Sequence, residues 1–120
     1  MKKVIKVANR FPFPGPRFIR LGPQSGEEFK EYLIKEINKT YPNGYDGKGK
    51  SLITIDLDGT QGYGSSFLEE GFGGLIRANV PYEIVNSLIL ISDEEPELIE
   101  EIKDYINIEN EKIMSSGRKD

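Results

Sequence analysis

The sequence contains neither cysteine nor histidine among its 120 residues. Without cysteine there is no disulfide and no thiolate chemistry, which fits a reducing cytoplasm. Without histidine, the commonest general base and zinc ligand is missing, as is every Ser-His or Cys-His pair. These absences disfavour an enzyme, so we expect no catalytic residue, no metal and no cofactor.

Long apolar runs are missing as well. No segment approaches the roughly 18–20 apolar residues of a membrane span, and the first seven residues lack the apolar core of a signal peptide. The net charge of −4 offers no basic face for a phosphate backbone. We therefore expect a cytoplasmic protein that binds neither membrane nor nucleic acid, while its oligomeric state stays open.

The length bounds the domain organisation, because 120 residues with 37% apolar content support one hydrophobic core. Apolar periodicity extends to Ile106 and weakens from Glu109 onward. We expect residues 1–108 to form a single domain and residues 109–120 to form a C-terminal helix extension that ends in a frayed tail.

Periodic apolar positions predict three long helices. The Ser-x-x-Glu spacing of Ser25 and Glu28 is a capping box, which predicts a helix that runs to about Tyr41. A second helix follows Gly64, and a third begins around residues 93–96. A single helical turn is predicted over residues 81–85, where a proline stands near its first position.

Short β-prone segments at 4–7, 17–21, 52–57 and 88–91 predict strands. The first two are expected to form a hairpin whose tip, residues 9–16, contains three prolines. The last is fully apolar, which predicts burial on both faces. The order of elements predicts an α/β fold with a small mixed sheet of about four strands and helices packed on it.

The glycine-rich turn between the strand 52–57 and the following helix is the best candidate for a functional site. It lies at the carboxyl end of a strand, where ligands and partners usually dock in open α/β sheets. Two adjacent hydroxyls, Ser65 and Ser66, stand at the predicted helix start, where backbone N–H groups are unpaired.

Residues 44–51 spell the nucleotide-binding pattern Gly-x-x-x-x-Gly-Lys-Ser. A phosphate-binding loop needs a strand before it and a helix after it, so that the helix start faces the phosphates. Here the predicted order is the reverse. We therefore interpret residues 43–50 as a polar loop and reject nucleotide binding at this motif.

The segment Asp56-Leu-Asp-Gly-Thr-Gln-Gly-Tyr-Gly-Ser-Ser-Phe-Leu68 resembles the corresponding turn of the STAS superfamily of sulfate-transporter and anti-sigma-antagonist domains. Together with residues 14–17, 25–29 and 64–77, it is similar to the bacterial STAS-like family of unassigned function. Gly64 and Phe67 stand where the anti-sigma antagonists carry aspartate and glycine. The resemblance spans about residues 4–106.

This resemblance implies a signalling module that binds a protein partner, a histidine-kinase-like ATPase or serine kinase, rather than an enzyme. It implies phosphorylation at the second serine, Ser66, with Ser65 as the neighbouring candidate. Added negative charge would then switch the binding. The implied partner-binding residues are Asp58, Gly59, Tyr63, Gly64, Ser65, Ser66 and Phe67. The alternative is a small-molecule or nucleotide sensor that uses the same helix N-terminus.

Simpler interpretations stand beside these functional ones. In one, the serines cap the helix without modification. In another, Asp56 and Asp58 bond the turn backbone rather than hold magnesium. The simpler interpretation of Phe67 is packing in the core rather than anchoring a partner. The glycines at 71, 73 and 74 indicate either close helix packing or a bare partner surface. Four arginines, at 10, 17, 20 and 77, form an anion site only if the fold gathers them.

Overall fold

A computed structural model of the chain describes residues 2–45 and 51–117. Within these residues, three parallel strands form one sheet in the order β1 (Lys3–Lys6), β2 (Ile53–Asp56) and β3 (Ile89–Ile91). Ile55 in the central strand lies opposite Ile5 in β1 and Leu90 in β3. The predicted α/β class is therefore correct.

Helices make up most of the remaining described chain. The α-helices are α1 (Val7–Arg10), α2 (Gly26–Thr40), α3 (Ser65–Leu68), α4 (Gly74–Arg77), α5 (Tyr82–Ser87) and α6 (Glu97–Ser115), with a 3-10 turn at Ile19–Leu21 and a π-helix at Glu69–Gly73. The α3, π-helical and α4 segments follow one another without a break. We call these residues, 65–77, the central helix. In the described part of the chain, no helix has the length and apolarity needed to cross a membrane.

The long helices begin as the sequence predicts. The hydroxyl of Ser25 accepts the backbone N–H of Glu28 at 3.1 Å, and the Glu28 carboxylate accepts the N–H of Ser25 at 3.3 Å, which completes the capping box. Helix α6 starts after Pro96 and continues through residue 108 to Ser115, with Ile113 buried near its end. The helix therefore crosses the predicted boundary at residue 108 without interruption.

Aromatic rings form the centre of the core. The rings of Phe29 on α2 and Phe67 on the central helix stack at 5.2 Å between centroids, and Phe72 meets Phe29 edge-on at 5.5 Å. A Cβ atom at Gly71 would lie 2.5 Å from the Phe29 ring. Close helix packing therefore accounts for this glycine, as the packing interpretation expects.

The predicted strand over residues 17–21 is wrong, and so is the hairpin that depends on it. The carbonyls of Pro16 and Arg17 accept the N–H groups of Gly26 and Glu27 at 2.8 and 2.9 Å. The segment is therefore tied to the start of α2 rather than to a strand. The Glu27 carboxylate also accepts the N–H of Ile19 at 2.9 Å, so bonds to α2, rather than the β-prone pattern, decide the structure of this segment.

The sheet itself also differs from the prediction of a mixed sheet of about four strands, since the described residues form three strands that are all parallel. The expected double burial of β3 is wrong too. Val4, Thr54 and Ile89 lie in register on one face, where Val4 is 60% and Ile89 42% exposed. The helices cover the opposite face, which carries the buried Ile5, Ile53 and Ile55.

Candidate functional site

The turn between β2 and the central helix displays both serines to solvent. Gly64 occupies the N-cap position in an extended conformation, and the helix begins at Ser65. Gly64, Ser65 and Ser66 are all exposed. Since neither serine occupies the N-cap position, the capping interpretation does not describe them.

A reciprocal clamp fixes the turn against the loop after β3. The Asp58 carboxylate accepts the backbone N–H groups of Asp93 at 3.1 Å and Glu94 at 3.0 Å. In return, the Glu94 carboxylate accepts the N–H of Gly59 at 2.8 Å. Gly59 has φ +93°, a left-handed conformation that favours glycine. The turn is therefore held to this loop by three hydrogen bonds, two donated by the loop and one donated by the turn.

Asp56 has a similar structural use. One of its carboxylate oxygens accepts the backbone N–H of Asp58 at 3.0 Å. This contact agrees with the interpretation that aspartates beside a turn bond the turn backbone. In the described ranges, no group of three or more acidic side chains is arranged to hold a metal ion.

Tyr63 and Phe67 connect the turn to the core. The Tyr63 hydroxyl donates to the carbonyl of Leu57 at 2.8 Å, and burial raises the pKa of this phenol, which keeps it neutral. Its ring centroid lies 5.7 Å from that of Phe67. Phe67 is fully buried. Its side chain therefore anchors the helix start and presents no surface to a partner.

Ser65 lies near helix α6. Ser65 lies beside Tyr105 on α6, whose hydroxyl donates to the Glu101 carboxylate at 2.6 Å. Partial burial and this bond to Glu101 raise the pKa of Tyr105 to about 12, while the Ser65 hydroxyl acts in the opposite direction. Ser65 is therefore next to the phenol of Tyr105.

A set of three cations and three carboxylates, which we call the charge network, joins the central helix to α2, α6 and the segment before α2. Its members are Arg17, Lys30, Glu69, Glu70, Arg77 and Glu109. Glu70 and Glu109 are buried, and the exposed Lys112 adds a longer contact to Glu109 at 4.0 Å. Such burial is tolerated because every carboxylate has a cation partner.

Arg77 has the most contacts in the charge network. Its guanidinium forms a two-pronged pair with Glu69 at 2.7 and 3.0 Å, and it also contacts Glu70 at 3.1 Å and Glu109 at 2.9 Å. These bonds raise the pKa of Arg77 and, with Arg17, hold the pKa of Glu69 below its usual value. Both partners therefore stay charged at neutral pH.

Arg17 and Lys30 complete the charge network from the other side. Nη1 of Arg17 contacts Oε1 of Glu69 and lies 3.7 Å from Oε1 of Glu70, while Lys30 reaches Glu70 at 2.9 Å. The four arginines considered in the sequence do not gather into an anion site. Arg10 stacks on Tyr32 and Arg20 on Phe18 instead, at 4.5 and 5.5 Å.

Sequence reasoning missed the charge network because its members are distant in the chain; Arg17 and Glu69 are 52 positions apart. One signal was present. Two glutamates follow the serine pair by three and four residues, at a spacing that puts them one helical turn away. That spacing points to the two carboxylates but not to the cations that form ion pairs with them.

Two surface clefts lie away from the turn. One of about 360 Å³ runs along α2 and includes Arg10 and Tyr32, and an open one of about 600 Å³ lies beside Phe18 and Glu27. Neither cleft is lined by a residue of the turn 58–67. The nucleotide-motif spelling overlaps residues 46–50, which lie outside the described residues, but α2 precedes it and β2 follows it, as its rejection requires.

These features define a small α/β domain with an exposed serine pair at the carboxyl edge of a parallel sheet. Residues 25–98 match the family model described as a STAS-like domain of unknown function. The match covers more than half of the 120 residues, so the chain belongs to this family, and the resemblance predicted from the sequence is confirmed. No curated protein and no solved structure gives a significant match.

Proposed function

We propose that this STAS-like domain is a non-enzymatic bacterial signalling module that binds a protein partner through the turn and the start of the central helix. The binding surface comprises Asp58, Gly59, Tyr63, Gly64, Ser65 and Ser66. The partner class is a histidine-kinase-like ATPase or a serine kinase, and phosphorylation of Ser66 switches the binding. The observation that carries this proposal is the exposure of Gly64, Ser65 and Ser66 on a fixed turn.

Rigidity supports a binding role for this surface. The clamp between Asp58 and the loop after β3 fixes one side of the turn, and the buried Phe67 fixes the other. A surface that is ordered before it meets its partner loses less conformational entropy on association. The exposed serines therefore stand on a preorganised platform.

The charge of a phosphate would act strongly at this place. A phosphoserine carries about −1.5 to −2 charges at neutral pH. Ser66 is followed three and four residues later by Glu69 and Glu70, so the added charge alters the potential of the whole helix start. A partner surface selected for the uncharged hydroxyl would then be repelled.

Site-specific photocrosslinking in the native host tests the proposal. A photoreactive amino acid at Ser66 should capture a protein that contains a kinase-like ATPase domain. The matched control is Asn38, which is exposed on α2. It lies roughly three helical turns from Gly26, the residue at the start of α2 that packs against Phe67. Capture of the same proteins from both positions, or of none from Ser66, contradicts partner binding at the turn.

The small-molecule or nucleotide sensor is the second candidate function, and thermal-shift measurements separate it from the first. A ligand at 100 times its dissociation constant adds about 2.7 kcal/mol to the free energy of unfolding. The clefts beside α2 and Phe18 do not include the turn, so we expect ATP, GTP and cyclic nucleotides to leave the melting temperature unchanged. A shift that disappears in Ser66→Trp would favour the sensor.

A further inference from the structure

We propose that copies of this chain associate head to tail, with the basic, apolar loop before α2 of one copy on the acidic outer face of α6 of the next. The residues of the first surface, which we call the loop surface, are Phe13, Ile19, Arg20 and Leu21. The residues of the second, which we call the acidic stripe, are Glu97, Glu100, Asp104, Ile108 and Glu111. The inference goes beyond the proposed function, because neither surface includes a residue of the turn 58–67.

Charge is distributed unevenly along the chain. Residues 1–26 contain six lysines and arginines and no acidic residue, whereas residues 93–115 contain nine acidic residues and two lysines. The net charge of −4 therefore conceals a basic first part and an acidic later part. Opposite charges on separate parts of one chain allow copies of that chain to attract each other.

Large apolar side chains protrude from the loop before α2. Phe13, Ile19 and Leu21 are 61%, 47% and 56% exposed. Arg20, between the last two, is also exposed, and its guanidinium stacks on Phe18 at 5.5 Å. Single exposed apolar side chains are ordinary on a protein surface, whereas a group of them beside charge of one sign marks an interaction surface.

Hydrogen bonds fix the conformation of this loop. The N–H of Gly15 donates to the Gln24 carbonyl at 2.7 Å, and the N–H of Phe13 donates to the Gln24 side-chain oxygen at 2.9 Å. The N–H of Ile19 donates to the Glu27 carboxylate at 2.9 Å. The apolar side chains are therefore held at the surface, and association loses little conformational entropy in ordering them.

The complementary surface is the acidic stripe on α6. Its residues recur at spacings of three and four, which places them on one side of the helix, and all of them are exposed. Ile108 is 51% exposed and lies one turn after Asp104. Of the two lysines of α6, Lys103 falls off the stripe by the helical period, and Lys112 contacts Glu109. The stripe therefore offers negative charge around an apolar residue.

The two surfaces do not cover each other within one chain. Phe13 and Ile108 are both more than half exposed, and Arg20 and Asp104 are exposed as well. Contact between copies would bury the apolar side chains and bring the opposite charges together. Because each copy keeps one free surface of each kind, the contact is heterologous and extends beyond two copies unless the rotation closes a ring.

Sedimentation velocity of the whole chain at low ionic strength tests this inference. Both surfaces are small, so we expect a dissociation constant on the order of 100 μM. The sedimentation coefficient should rise with protein concentration up to about 1 mM. It should return toward the monomer value in about 1 M salt, where the Debye length is only about 3 Å.

Reversal of one charge on either surface should weaken the association. Arg20→Glu and Asp104→Lys each bring like charges together, so each should raise the dissociation constant at least about tenfold. An equimolar mixture of the two variants again offers opposite charges at every contact between unlike copies. Its association should therefore return to about the wild-type strength.

The matched controls are Lys35→Glu and Glu31→Lys, which make the same charge changes at exposed positions of α2. They should leave the dissociation constant within about twofold of the wild type. The backbone amide spectrum of each variant verifies that it is folded. The inference is overturned if the wild type is monomeric at about 1 mM, if the controls weaken association as much as the two test variants, or if the mixture does not recover.

Vesicles that contain phosphatidylserine test whether the loop surface instead binds an anionic membrane. A wild type that binds these vesicles through Arg20 while it remains monomeric would overturn self-association. Both measurements use the purified chain without a kinase, so their outcome is separate from the crosslinking result that tests the proposed function.

Discussion

Replacement of Gly71 by alanine should destabilise the protein, although alanine is the better helix former. A Cβ atom at position 71 would lie 2.5 Å from Cδ2 and 3.1 Å from Cε2 of Phe29. Phe29 is fully buried, and its ring packs against those of Phe67 and Phe72. The ring therefore has no free space into which it can retreat.

The expected magnitude follows from two opposed contributions to the free energy of unfolding. Alanine in place of glycine favours a helix interior by about 1 kcal/mol, whereas overpacking of a filled core costs about 1–3 kcal/mol. An approach of 2.5 Å against a confined ring is severe. We expect a net loss of about 1–2 kcal/mol.

Urea unfolding followed by circular dichroism measures this loss directly. Gly64→Ala is the matched control, because no atom lies within 4 Å of its added Cβ and its φ is −81°. It replaces a favoured N-cap residue without creating a clash, so it should lower the free energy of unfolding by only about 0.5 kcal/mol. Phe29→Leu should partly relieve the clash, so that the double variant loses less than the sum of the single losses. Gly71→Ala as stable as the wild type would refute the packing argument.

Three further predictions concern the charges and caps. Folding lowers the pKa of Glu69, so the stability this carboxylate contributes is present above the unfolded pKa of about 4.5 and is lost as pH falls through the folded value. Glu69→Gln should therefore reduce the difference between the urea midpoints at pH 7 and pH 3. An unchanged difference would contradict this. Asp58→Ala should speed hydrogen exchange of the Asp93 and Glu94 amides and cost about 1 kcal/mol, whereas unaltered exchange would exclude the clamp. Ser25→Ala should lower the free energy of unfolding by about 1 kcal/mol, and a neutral result would count against the capping box.

Local sequence signals predicted the features that depend on neighbouring residues. The capping box at Ser25 predicted the start of α2, and the change from a buried strand to an amphipathic helix located the turn after the strand 52–57. The exposed serines were placed correctly at a helix start. These features involve residues that are close in sequence, so composition and spacing determine them.

Features that depend on distant contacts were not predictable in this way. Residues 17–21 have the apolar pattern of a strand, but Ile19 and Leu21 are 47% and 56% exposed because this segment bonds to the start of α2. The π-helix at Glu69–Gly73 also has no local signal beyond its glycines. It belongs to the surface where the central helix meets α2 and α6.

The parallel sheet has a consequence for how the chain could be divided. Both neighbours of β2 reach it through long crossovers, residues 7–52 on one side and 57–88 on the other. A cut between residues 45 and 51 would leave β1 and Phe29 on one fragment and β2, Phe67 and the serines on the other. Neither piece could assemble the aromatic centre alone. If the two fragments are unfolded alone and fold when mixed, the domain is suited to use as a split reporter.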